Sequence, residues 1–351
     1  MASTRGLDEP AAKGLSLRGK PLPHFTEPVR APIGTTPVRP ANSVRRTMSI
    51  DVDWPDGVES PAHYHGRARD VRTGAAGSPP ELLDDAEIEV VAAQREIRSL
   101  SARPDPPNLQ ELVGVRAGGY LREALSRIVA QEKAAGTPLY LLLDDLAGTT
   151  LVSRWAWSRW PEDGLPSGRT MRFPRDAMQG ICIGFRANSG ALDEQGLPSS
   201  DQNASRVVAL PNPDDPGGWH DLPDPGGVNF RRARRIDLWR DGEALLVESH
   251  FQDSSSAPDG GDRWAIHEYL IKARIGADGL LKSVEATPGT LPYSACRVAP
   301  VNLEVLLGTP ARDLREVVLE KLKFTGGCTH LNDMVRSLAE APVLAAQLPE
   351  A

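Results

Sequence analysis

Cys328-Thr329-His330 sets a thiol and an imidazole two residues apart, just after Gly326-Gly327, where a helix is expected to begin. With Thr329 read as the N-cap, the positive end of that helix would lie beside the sulfur and favour a ligating thiolate. Three upstream residues can reach the same place. Cys296 closes Pro292-Tyr293-Ser294-Ala295-Cys296 in a loop after an expected strand, His267 falls on the core face of its strand by alternation, and Asp253 ends the neighbouring strand next to Phe251. Sulfurs, imidazoles and a carboxylate meeting at one end of a sheet suit Zn²⁺ or iron, so the expected metal ligands are Cys296, Cys328 and His330 with His267 or Asp253.

The same residues allow other chemistry. Cys328 could be a nucleophile with His330 or His267 as its base, and any of these side chains could simply be a packed core residue. Cys182 reads as a small core hydrophobe, Asp333 as a helix-start hydrogen-bonding device, and His220 as a loop anchor. The cluster Arg231 to Arg235 reads as a solvated edge strand, where alternate arginines block further pairing.

The elements that must position these groups occur in two related sets. Arg45-Arg46-Thr47-Met48-Ser49-Ile50-Asp51 returns as Arg231-Arg232-Ala233-Arg234-Arg235-Ile236-Asp237, and each copy runs to an Asp-Gly turn, Asp56-Gly57 and Asp241-Gly242. Leu121-Arg122-Glu123 pairs with Leu314-Arg315-Glu316, and Leu143-Asp144-Asp145 with Leu331-Asn332-Asp333. The offset stays at roughly 184 to 194 residues, the mark of a duplicated unit. Each copy has strands followed by helices, so the expected fold is α+β, two related lobes from an internal duplication, each an antiparallel sheet packed by C-terminal helices. Residues 1–44, with seven prolines, are expected to be a disordered or wrapping tail, 45–154 a degenerate N-terminal lobe, 155–228 a loop-rich connector carrying Trp155, Trp157 and Trp160, and 229–345 the lobe with the Cys/His site. The first copy, from Gly74 to Thr150, has no Cys and no His, so only the second is equipped for chemistry.

Composition narrows the classes. The 351 residues carry Lys+Arg 40 against Asp+Glu 47, a net charge of -7, which argues against a nucleic-acid or anionic-membrane surface. No apolar run approaches the roughly 20 residues that span a bilayer. Three cysteines are too few for a disulfide framework, and a reducing cytoplasm is the expected setting.

Gly327-Cys328-Thr329-His330-Leu331, with Phe251-Gln252-Asp253-Ser254, His267-Glu268-Tyr269 and the Cys296 loop, resembles a bacterial family known only as a domain of unknown function (DUF2889). That resemblance implies no activity. More distantly, the order of Asp253, Cys296, Leu306-Leu307-Gly308 and Cys328 is similar to the U-type iron–sulfur cluster scaffolds, although the cysteine those proteins carry near the Asp is absent here. The expectation is a metal-binding protein holding Zn or Fe. With an open coordination position it would be a hydrolase or lyase acting on a small molecule; with a closed one, a scaffold, carrier or interaction protein.

Overall fold

The computed structural model describes residues 10–27, 29, 31–76, 78–158, 178–192, 203–256 and 259–349; Trp160 and residues 1–9 lie outside them. Strands β1 (Ser43–Asp53), β2 (Ala62–Thr73), β3 (Glu81–Ala93) and β4 (Glu96–Arg103) form an antiparallel meander, followed by helices α1 (Gly119–Ile128), α2 (Ala130–Ala135), α3 (Pro138–Val152) and α4 (Trp155–Ser158). After the short β5 (Ser205–Val207), a second meander runs through β6 (Phe230–Asp241), β7 (Ala244–Ser256), β8 (Arg263–Ile275) and β9 (Leu281–Pro288). An extended 3-10 segment, Ser294–Leu306, then leads into α5 (Leu314–Lys321), α6 (Thr329–Arg336) and α7 (Ala341–Ala346).

The two meanders share one nine-stranded sheet, because β1 and β6 pair antiparallel at its centre. Their register sets Arg45 opposite Asp237 and Asp51 opposite Arg231, so each strand supplies the counter-ion of the other. β9 and β5 share the outer edge of β8.

Alternation divides the sheet into two faces. Val44, Met48, Ile50, Phe230, Ile236, Leu238, Phe251 and Tyr269 face the helices and are buried. One cluster gathers around α3 and β1 to β3; the other lies under α5, α6 and the 3-10 segment. Part of the opposite face is covered by two irregular stretches. Ile33 N–H donates to Glu268 Oε2 at 2.8 Å, Arg39 pairs with Asp215 at 2.6 Å, and the Trp219 indole donates to Thr36 Oγ1 at 2.8 Å. His220 anchors its loop by bridging Thr47 Oγ1 at 2.9 Å and Ser49 Oγ at 2.8 Å.

The arginine cluster is not an edge. β6 is a central strand, and Arg231, Arg232, Arg234 and Arg235 are all buried. An ionised guanidinium survives there only with a partner, and each has one: Asp51, Asp253, Asp145 and Asp237, respectively. Asp333 also differs from expectation. It sits inside α6 and accepts from Arg122 Nη2 at 2.6 Å and Arg336 Nη1 at 3.3 Å, tying α6 to α1. Arg315 and Arg336 both reach Asp144 on α3, at 2.8 and 2.9 Å, and Arg315 and Arg46 share Glu340. No helix among the described residues is long and apolar enough to cross a membrane.

Candidate metal centre

Asp253 on β7 and His267 on β8 are direct cross-strand partners, beside a bulge at which Ile266 of β8 is left unpaired. His330 lies in the first turn of α6 above them. Ligand atoms from the three residues all lie within 4.8 Å of one another. The two imidazoles stack, with ring centroids 3.5 Å apart and planes 17° from parallel. His267 Nδ1 is 3.4 Å and His330 Nε2 3.7 Å from Asp253 Oδ2. The His330 contact is too long for a hydrogen bond and the His267 contact is poorly aligned for one, so the Nδ1 of His267, a residue only 9% exposed, is at best weakly satisfied by Asp253. A ring nitrogen so weakly satisfied at that depth is costly, and a cation is one way to satisfy it.

The electrostatics prepare the trio for ligation. Burial pushes the Asp253 carboxyl up, but Arg232, which donates Nε and Nη2 to its two oxygens at 2.8 Å each, outweighs it and holds the group well below the usual carboxylate range. Burial pushes His267 down against the Asp253 charge, and pushes His330 well down with help from His267. The imidazoles are therefore neutral near pH 7, the form that donates a lone pair to a metal. Arg232 and Arg234 cap this corner from below, lying over the Phe251 ring at 5.0 and 4.9 Å. Each has an Nη1 without a hydrogen bond, and the ring face offsets part of that loss.

The two expected cysteines part company. Cys328 Sγ is 4.0 Å from His330 Nδ1. It is itself the N-cap of α6, because its carbonyl accepts the first helical bond from Asn332 at 2.7 Å; Thr329 is the first helical residue. Cys296 sits farther along, in the 3-10 segment, where the Tyr269 hydroxyl donates to its carbonyl at 3.4 Å. Cys182 was missed as a partner of these residues: it packs beside Cys296 across Gly184. Nothing in its local sequence, Gly180-Ile181-Cys182-Ile183, signals that contact, which forms only when the connector folds onto the 3-10 segment.

Two imidazoles and one carboxylate with a thiol nearby can hold Zn²⁺ or Fe²⁺. Arg232 would then be the group that orients the ligating carboxylate. The arrangement also contains a second chain of contacts, thiol to imidazole to carboxylate, through Cys328, His330 and Asp253. Comparison with curated proteins and with solved structures gives no match. Residues 230–344, which carry every one of the expected ligands, match the model of a family described as a protein of unknown function (DUF2889).

Proposed function

We propose that this is a metal-binding protein whose ion is held by Asp253, His267 and His330, with Cys328 as the fourth donor. The observation that carries the reading is the convergence of three ligand atoms, two of them on buried residues, including an imidazole nitrogen that makes no well-aligned hydrogen bond. Zn²⁺ and Fe²⁺ are the cations that match this donor set. If a coordination position stays open, the ion would activate water or polarise a carbonyl of a small-molecule substrate, giving a hydrolase or lyase; if Cys328 closes it, the role is that of a scaffold or carrier. Three free thiols fit a reducing, cytoplasmic setting.

We read the two meanders as products of one duplication. Their identical order about the β1/β6 seam and the exchanged Arg-Asp pairs support this, and the first copy then serves as a scaffold for the equipped one. Asp145 on α3, matched in sequence to Asp333, holds Arg234 beneath the site.

The test is elemental analysis of the purified full chain with Asp253→Asn and His267→Gln variants. Stoichiometric zinc or iron in the wild type, lost in both variants while the fold is retained, is expected. A wild type purified in metal-supplemented medium that holds no metal, or variants that keep it, would sink the reading. A nucleophile role for Cys328 is favoured by the two-sided contact of His330, but burial pushes that thiol up rather than down. It predicts rapid alkylation of Cys328 by iodoacetamide near neutral pH in metal-free protein, whereas the metal reading predicts slow alkylation.

A further inference from the structure

We propose that Arg67 and Arg69 of β2 form a binding site for a phosphate dianion, free or as the terminal group of a small monoester, at the rim of the loop that carries His220. Both arginines alternate with Tyr64 and Ala68, which face the helices, so the pair stands on the sheet face away from the Asp253 trio. Register places Arg67 opposite Ser49 and Arg69 opposite Thr47, the two hydroxyl residues that His220 bridges, and the loop therefore packs beside the pair. Arg69 Nη2 donates to the carbonyls of Gly217, at 2.6 Å, and Trp219, which fixes its guanidinium against the loop. Arg67 makes no hydrogen bond among the described residues, and its Nη1 is buried without a partner. The Nε of Arg69 is likewise buried and unpaired.

The carboxylates that could serve the pair are engaged elsewhere. Across β3, Glu87 faces Arg67 and Asp85 faces Arg69, but Arg103 of β4 draws both away, at 3.4 and 2.9 Å. Farther along the same row of β2, His65 holds Asp53 at 3.0 Å and Glu89 at 2.5 Å. On the loop side, Asp215 is held by Arg39 at 2.6 Å and approached by Arg45 at 3.6 Å. Two adjacent guanidiniums thus lack a counter-ion among the described residues, and burial together with Arg39 pushes the Arg69 group down against the pull of Asp215. A guanidinium N–H that water cannot reach is costly until an acceptor meets it. An oxyanion offers acceptors to both guanidiniums, and their two positive charges match a dianion better than a single carboxylate. Both side chains are only partly buried, which leaves the ion a way in. Asp53, Asp85, Glu87 and Glu89 on the surrounding face repel an extended polyanion, so the fit is to a small phosphate.

The experiment is equilibrium dialysis of the intact chain against radiolabelled inorganic phosphate, at constant ionic strength and about pH 8, where phosphate is a dianion. The wild type should show one saturable site. Arg67→Gln should weaken it roughly tenfold or more, the worth of a charge-assisted hydrogen bond. Arg103→Gln, at an exposed position, frees Asp85 and Glu87 to pair with Arg67 and Arg69 and should weaken binding in the same direction. His267→Gln should bind phosphate as the wild type does, which separates this site from the Asp253 trio. Displacement by glycerol phosphate at concentrations equal to or below those of unlabelled phosphate assigns the site to a monoester, and a need for higher concentrations assigns it to the free ion. No saturable binding in the wild type, loss of binding in His267→Gln, or Arg67→Gln and Arg103→Gln isotherms that overlay the wild type would overturn the proposal. If Arg67→Gln fails to fold, the wild-type and Arg103→Gln isotherms decide the matter.

Discussion

His220 shows how a single residue can set a pH limit on this protein. Its ring nitrogens bridge Thr47 and Ser49 inside the covered face of the sheet, and burial, with Arg69, Arg231 and Arg67 nearby, lowers its pKa to about 3. An unfolded histidine titrates near 6.5, so the unfolded chain binds a proton that the folded one refuses as pH falls from about 6.5 towards 3. His220 therefore contributes full stability above about pH 6.5 and loses it progressively below. The lowered carboxylates Asp144 and Asp253 act with the same sign, but their loss begins only near the unfolded carboxylate range, about pH 4. Between about pH 6 and 4 the slope of stability belongs to the histidines, and His220→Gln should reduce it by about 1 kcal/mol per pH unit. Urea midpoints measured across that interval check this; parallel curves for variant and wild type would refute it. That His220 anchors a loop was readable from Gly217-Gly218-Trp219-His220, but its hydroxyl partners, more than 170 residues earlier on β1, were not.

At the scale of elements, the β1/β6 seam concentrates charge where sheets usually carry valine and isoleucine. Arg231 Nε meets Asp51 Oδ1 at 2.6 Å, and Arg45 Nε meets Asp237 Oδ1 at 2.6 Å, on one face of the seam. Removing one partner of a buried pair strands the other, at a cost of about 3–5 kcal/mol, whereas replacing both with apolar side chains is often neutral. Asp51→Asn should therefore lower the denaturation midpoint strongly, and Asp51→Leu combined with Arg231→Met should recover most of the loss. A double variant no more stable than Asp51→Asn would show that the pair holds the seam by something other than charge compensation. The strands themselves were legible from alternation, as were the core-facing positions of Asp253 and His267. The location of β6 was not. Alternate arginines look the same on a solvated edge and in a sheet centre, because the distinguishing carboxylates, Asp51, Asp145 and Asp253, come from three other elements. Cys328 and His330 were marked by their short spacing, yet Cys182 carried no such mark, since its contact with Cys296 needs the connector already in place.

For the whole molecule, the charges under the candidate centre also join its two halves. Starting from Asp253, Arg232 lies over Phe251 beside Arg234; Arg234 binds Asp145 on α3; Arg336 and Arg315 reach from α6 and α5 to Asp144, and Arg122 reaches from α1 to Asp333. A cut between the meanders would expose the full β1 edge of β6 and leave Arg231 and Arg234 without Asp51 and Asp145. Each stranded buried charge costs several kcal/mol, an amount comparable to the roughly 5–15 kcal/mol that stabilises a whole domain. The segment matching the family model should therefore fail to fold alone here, although it contains Asp253, His267, Cys328 and His330. Expressed by itself, 229–345 should show no cooperative urea transition and rapid amide exchange in β6, and the intact chain should unfold in one transition with slow exchange in both β1 and β6. If the fragment instead unfolds cooperatively near the midpoint of the intact chain, the first meander is an independent neighbour rather than half of the sheet that fixes Asp253, His267 and His330.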